Sequence, residues 1–237
     1  MPSCTFDFVS LLKPFTADAV MNGATTLIGA FFGAMLAFLF QLLLHRKQER
    51  KVAQMSAHRM LFCLLQQMNT IMLVQKDFIV PHLNDPGRFM SIPAMHEFDM
   101  EKNAFDFSTF GFMLETNESR KIMYDLYLAQ ESYIEALRAL NERSRLHRDE
   151  VQPRLASAGV QNGSTVTHGD IKHVLGPLIF PSIVSTTDQV IEALKSAFTK
   201  LAKSKQDFRS YVVKRFRSND FTDFDFPETY GLLPDTK

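Results

Sequence analysis

Residues 19–44, AVMNGATTLIGAFFGAMLAFLFQLLL, hold not one charged side chain. A helix needs about 20 predominantly apolar residues to cross the hydrocarbon core of a bilayer, so this stretch can span with tilt to spare. A helix buried in a soluble core rarely runs so far without a polar face. The residues ahead of it offer a single cation, Lys13, and the residues just after it are His45-Arg46-Lys47, with no small-residue cleavage site. That reads as an uncleaved anchor rather than a signal peptide. Arg46, Lys47, Arg50 and Lys51 crowd the C-terminal flank, against Lys13 beside Asp7 and Asp18 on the other. Flanking cations stay on the cytoplasmic side. The expected layout is therefore a short extracytoplasmic N-terminus over 1–18, a transmembrane helix over 19–44, a cytoplasmic helical domain over 45–217 and a tail over 218–237. In a bacterium that membrane is the inner one. The apolar run from Phe6 to Phe15 is expected to lie along the outer interface.

Within the apolar stretch, Gly29, Gly33, Ala37 and Gln41 recur every fourth residue. Such positions share one drifting stripe of a helix. Small residues let two helix backbones approach closely, and a Gln at the end can hydrogen-bond across the contact. The stripe predicts self-association within the membrane.

The rest of the chain reads as all-α. Hydrophobic residues make up 46% of the 237 and charged residues 22%, which predicts a folded domain rather than a disordered one. Lys and Arg total 26, as do Asp and Glu, a balance unlike that of a generic nucleic-acid binder. The two cysteines, Cys4 and Cys63, fall on opposite sides of the anchor, so no disulfide framework is expected and a reducing compartment fits.

No Gly or Pro interrupts the chain between His45 and Val80, and Ala53, Ala57, Met60, Leu64, Met68 and Ile71 recur at three- and four-residue steps. One long helix is expected to leave the membrane and become amphipathic, ending at Pro81. A connection with one or two short helices leads on to about Asn117, its Phe and Met residues packed down on the domain. The clearest helix spans about Glu118 to His147, capped by Thr116 or Asn117. Its apolar seam is Ile122, Leu126, Ala129, Tyr133, Leu137 and Leu140. Pro153, Gly159 and Gly163 mark a loop. Thr167 with Asp170 three residues on is a capping-box variant that starts a short helix to Leu175. Gly176-Pro177 and Pro181 break or kink it. A last helix is expected from about Ser182 to Phe216. In the tail, Asp220, Asp223, Asp225 and Glu228 alternate with Phe221, Phe224 and Phe226, as in an extended segment docking Phe side inward. The fold class is thus an all-α antiparallel bundle behind one membrane helix.

Candidate chemistry is sparse. No two of the seven histidines stand four apart, and no zinc-protease, P-loop, nucleophile-elbow or dinucleotide motif occurs. No metal or other cofactor is expected. Near the end of the seam helix, Asn141-Glu142-Arg143-Ser144-Arg145-Leu146-His147 brings a polar residue, Arg and His together. An all-α domain with such a cluster resembles the HEPN ribonucleases, whose motif is Arg, four to six residues, then His. The resemblance implies that Arg143 and His147 polarise a scissile phosphate between two facing protomers. Here only three residues separate them, and cations there also complement the helix dipole. The layout as a whole, one N-terminal span before a HEPN-like cytoplasmic domain, is similar to the oligomeric, pore-forming accessory membrane protein of type VI-B CRISPR immunity.

Lys203, Lys205, Arg209, Lys214, Arg215 and Arg217 make the end of the last helix basic. This predicts a basic surface, with the acidic tail as its counterweight. The leading expectation is a non-enzymatic, membrane-anchored, self-associating interaction or signalling module. Its partners are membrane lipid, further copies of itself and a cytoplasmic protein, not nucleic acid. The alternatives are a homo-oligomeric pore-forming antiviral effector and a degenerate HEPN-type ribonuclease.

Overall fold

The computed structural model describes residues 17–160 and 166–223, and these are all-helical, without a strand. The short N-terminal segment and the residues from Phe224 onward, including Asp225, Phe226 and Glu228, lie outside the described residues, as do Cys4 and Gly163. The chain divides into two compact units, Met1–Val52 and Ala53–Lys237.

Helix α1 runs Ala17–Val74. Every described side chain from Met21 to Val52 is exposed. Phe31 is 67% exposed, Leu39 46% and Leu43 62%, an arrangement that water does not favour. Among the described residues two helices are long and apolar enough to cross a membrane: Met21–His82, with mean hydropathy 2.3 and none of its most apolar window buried, and His168–Phe216, with 1.3 and 28% buried. The sequence predicts one. The second helix places Leu194, Leu201, Phe208 and Val212 in the core, while Leu178 nearer its start is 77% exposed.

Within Ala53–Lys237, the later turns of α1 pack with two long helices. Helix α3 spans Asn117–Leu146, with α2, Arg88–Ser91, preceding it. Thr116 caps α3: its hydroxyl accepts from Ser119 N–H while the Ser119 hydroxyl accepts from Thr116 N–H. Helix α4, Gln152–Ser157, is short, and α5 runs His168–Phe216 from a second capping box of Thr167 and Asp170. One core joins Ala57, Leu64 and Ile71 of α1 to Leu126, Tyr133 and Leu137 of α3 and Leu194, Leu201 and Phe208 of α5. Helices α3 and α5 run in opposite senses. Arg215 reaches Glu115 at 2.9 Å, the Ser204 hydroxyl donates to the Asp125 carbonyl at 3.2 Å, and Arg143 Nε donates to Thr187 at 3.4 Å. A smaller core gathers Phe89, Val151, Leu155, Leu175 and Ile183.

Two boundaries differ from the sequence-based expectation. The helix expected to restart near Ser182 restarts at Pro177. Gly176 alone takes the turn (φ 75°, ψ 178°), a conformation open essentially to glycine. Pro177 then sits in the first turn of the resumed helix, where its missing N–H goes unneeded. Pro153, expected in a loop, occupies the same kind of position at the start of α4. A π turn, His147–Val151, joins α3 to α4, and another, Gln75–Ile79, ends α1.

Candidate functional site

Arg143 lies on the inner side of α3, where the bulky seam residues Tyr133, Leu137 and Leu140 have already excluded water. It is fully buried. Its guanidinium donates to the carbonyls of Pro93 at 2.7 Å and Phe89 at 3.0 Å, and to that of Ile92. The planar, five-donor fork suits this convergence of carbonyls at the end of α2. Burial pulls its pKa down to about 10.

Neighbouring side chains of α3 hold the rest of the connector in the same manner. Ser144 accepts from Met95 N–H at 3.2 Å. The Asn141 amide both accepts from Phe98 N–H and donates to Phe98 C=O, each at 2.9 Å. Gln130 accepts from Phe105 N–H, and Gln67 of α1 donates to Asn103 C=O at 2.7 Å. Residues 89–105 are thereby pinned along α3 by side chain to backbone bonds. Met95 and Phe105 face the core, as the sequence leads one to expect of the connector. The stapling role of Gln130, Asn141 and Ser144 is invisible in the sequence. Their partners are backbone groups some 25 to 50 positions away. The one available signal is that these polar residues border the apolar seam.

His147 opens the π turn one helical turn beyond Arg143 and is 5% exposed. Neither ring nitrogen has a hydrogen-bond partner among the described residues. Burial first, then the Arg143 charge, push its pKa down to about 4; the Met90 backbone pulls weakly the other way without reaching hydrogen-bond geometry. The imidazole is therefore neutral at pH 7. A cleft of about 170 Å³ is lined by the neighbouring residues Asn141, Ser144, Arg145 and Arg148 among others, but by neither Arg143 nor His147. In this arrangement the guanidinium is engaged with the protein's own backbone and the imidazole is buried.

The basic residues of α5 are spread over different environments. Lys205 is a correction to the basic surface: it is 8% exposed, with Nζ 3.2 Å from Asp223. Arg209 meets the same carboxylate at 3.0 Å. Arg215 lies against the Phe112 ring, 5.5 Å from its centroid, and contacts both oxygens of Glu115 at 2.9 Å. Lys214 stands 3.7 Å from Glu118. Lys203 and Arg217 are exposed. Acidic groups thus offset most of this stretch locally.

Gly29, Gly33, Ala37 and Gln41 are all exposed on α1. A Cβ added at Gly29 or Gly33 would meet no atom within 4 Å, so nothing in the chain's own fold calls for glycine there. Among the described residues no group of three or more His, Cys, Asp or Glu side chains is placed to hold a metal ion. The chain matches no protein-family model, no curated protein and no solved structure.

Proposed function

We propose that the protein is a single-pass, membrane-anchored helical module that self-associates at the cytoplasmic face. The observation that carries this is the segment 19–44: free of charge, helical from end to end, with every described side chain exposed. Lipid is the solvent that such a surface fits. The cations from Arg46 to Lys51 set the orientation, N-terminus out and helical domain in. Helix α5 stays out of the membrane in this reading because its later turns, with Leu194, Leu201, Phe208 and Val212, are packed in the core.

Self-association is supported by the two glycines that the isolated fold leaves unexplained. They supply close approach for a second helix of the same kind, with Gln41 as a polar contact at the end of the stripe. The test is direct. A C-terminal reporter active only outside the cytoplasm overturns the topology. An oligomer mass in mild detergent that Gly33→Leu leaves unchanged overturns the stripe.

A second reading is a homo-oligomeric pore, as in the antiviral membrane proteins that the layout resembles. The same stripe favours it, since one span per chain lines a conduit only in a ring. A ring of six or more chains with conductance in liposomes supports it, and a dimer counts against it. Ribonuclease action through Arg143 and His147 draws least support. It needs a guanidinium released from three carbonyls and an imidazole brought to solvent.

A further inference from the structure

The unit Ala53–Lys237 carries two unlike surfaces. The first is the outer face of α1, where exposed positions step by three and four: Met55, Arg59, Phe62, Gln66, Asn69 and Leu73. Met55 is 55% exposed, Phe62 58% and Leu73 43%. Arg59 has no ion pair or hydrogen bond among the described residues. The second is an open valley of about 480 Å³ between α3 and α5. Its lining includes the small side chains of Ala129, Ser132, Ala193 and Ser196 together with Leu128, and the Lys200 ammonium donates to the Ser132 hydroxyl at 2.8 Å. Four carboxylates, Asp125, Glu131, Glu135 and Asp207, face two ammonium groups, Lys200 and Lys203. No residue of α1 lines it.

We propose that a second copy of this chain seats its α1 face in that valley, with Phe62 against the small side chains of its lining and Arg59 against the carboxylates. Three observations carry this. The face sets Met55, Phe62 and Leu73 beside an unpaired cation, and the valley sets Leu128 and small side chains beside an excess of anions, so the charges are complementary. The valley lining includes the small side chains of Ala129, Ala193 and Ser196, which leave room beside them for a large one. The face cannot reach its own valley, because the opposite side of the same turns, Ala57, Leu61, Leu64 and Met68, is buried in the core shared with α3 and α5. The occupant is therefore another molecule. The contact is head-to-tail: each added copy leaves one face and one valley free, which builds a ring or an open chain rather than a closed two-fold dimer. This rests on the self-association proposed above and adds the cytoplasmic surface that carries it.

The experiment uses the full-length protein in membranes with Cys4→Ser and Cys63→Ser. Phe62→Cys and Leu128→Cys chains are oxidised separately and after co-expression. The expected result is a dimer-sized disulfide band only in co-expression, with a yield several-fold lower when Arg59→Glu is added. A band from Phe62→Cys alone means the faces pair with themselves and overturns the head-to-tail contact. No band in any lane, while the detergent-solubilised protein keeps a Gly33→Leu-sensitive oligomer mass, sinks this contact and leaves membrane self-association standing. No band and a monomeric mass sink both.

Discussion

Phe221 lies flat on His58, their ring centroids 4.6 Å apart and the planes 23° from parallel. The pair joins the first residues beyond α5 to the first turns of α1 in the unit Ala53–Lys237, at opposite ends of that unit's sequence. Phe221 is 3% exposed and also meets Phe216 at 5.7 Å. It brings Asp223 to Lys205 and Arg209. Phe221→Ala removes a buried ring, which costs about 3 kcal/mol at the lower end for such truncations. The expected outcome is a lower midpoint of chemical unfolding, followed by circular dichroism, together with faster proteolysis after Phe216. An unchanged midpoint means the tail contributes nothing to stability.

Arg143→Met keeps most of the aliphatic volume and leaves the carbonyls of Phe89, Ile92 and Pro93 without their donor. Unpartnered buried acceptors cost about 1–3 kcal/mol each before relaxation. Amide hydrogen exchange is expected to rise across 89–98 before it rises in α5. Arg143→Lys does not restore protection, because one ammonium cannot serve three carbonyls in a planar fork. Uniform exchange in the variant argues against a stapling role.

His147 gives the fold a definite pH dependence. Its folded-state pKa of about 4 lies below the ordinary 6.5. The unfolded chain therefore binds the proton more readily between those values. The stability it confers is complete above pH 6.5, declines as pH falls toward 4 and levels off below. The total loss is on the order of 3 kcal/mol. Comparing denaturant midpoints at pH 7 and pH 4.5 checks this: His147→Phe is expected to flatten the difference. An equally steep decline in that variant assigns the acid sensitivity to other groups.

Gly176→Ala places a Cβ in open space, since no atom lies within 4 Å, yet at φ 75°. The cost is purely of backbone origin, about 1–3 kcal/mol. Thermal unfolding is expected to show it as a lower melting temperature with unaltered helix content. A neutral result means the junction relaxes to another conformation.

How much of the chain could be read in advance depends on the range of the forces involved. The seam of α3 and the caps at Thr116 and Thr167 are local patterns, fixed by helical period and by hydroxyls three residues from their N–H partners. The connector's packed Phe and Met residues follow from their apolarity. Pro177 and Pro153 misplace the expected boundaries because a proline signals a break equally well one residue inside a new helix. The burial of Lys205 depends on Asp223, 18 positions on, curling back over α5. Arg143 and His147 stand out as a reactive-looking pair, but their surroundings come from the far ends of α2 and the connector. No spacing rule reaches that distance.

The staples along 89–105 divide the burden of specification unequally. Asn141, Arg143, Ser144 and Gln130 grip the connector by its peptide groups, which every residue shares. The exposed residues His96, Glu97 and Asp99 are consequently free to vary, while the helix that grips them is not. A saturating mutational scan would show a tolerant loop laid against an intolerant helix. Over many generations the connector can change its outward character without a change of path, so it is the part of this domain best able to acquire a new partner while the fold stays put.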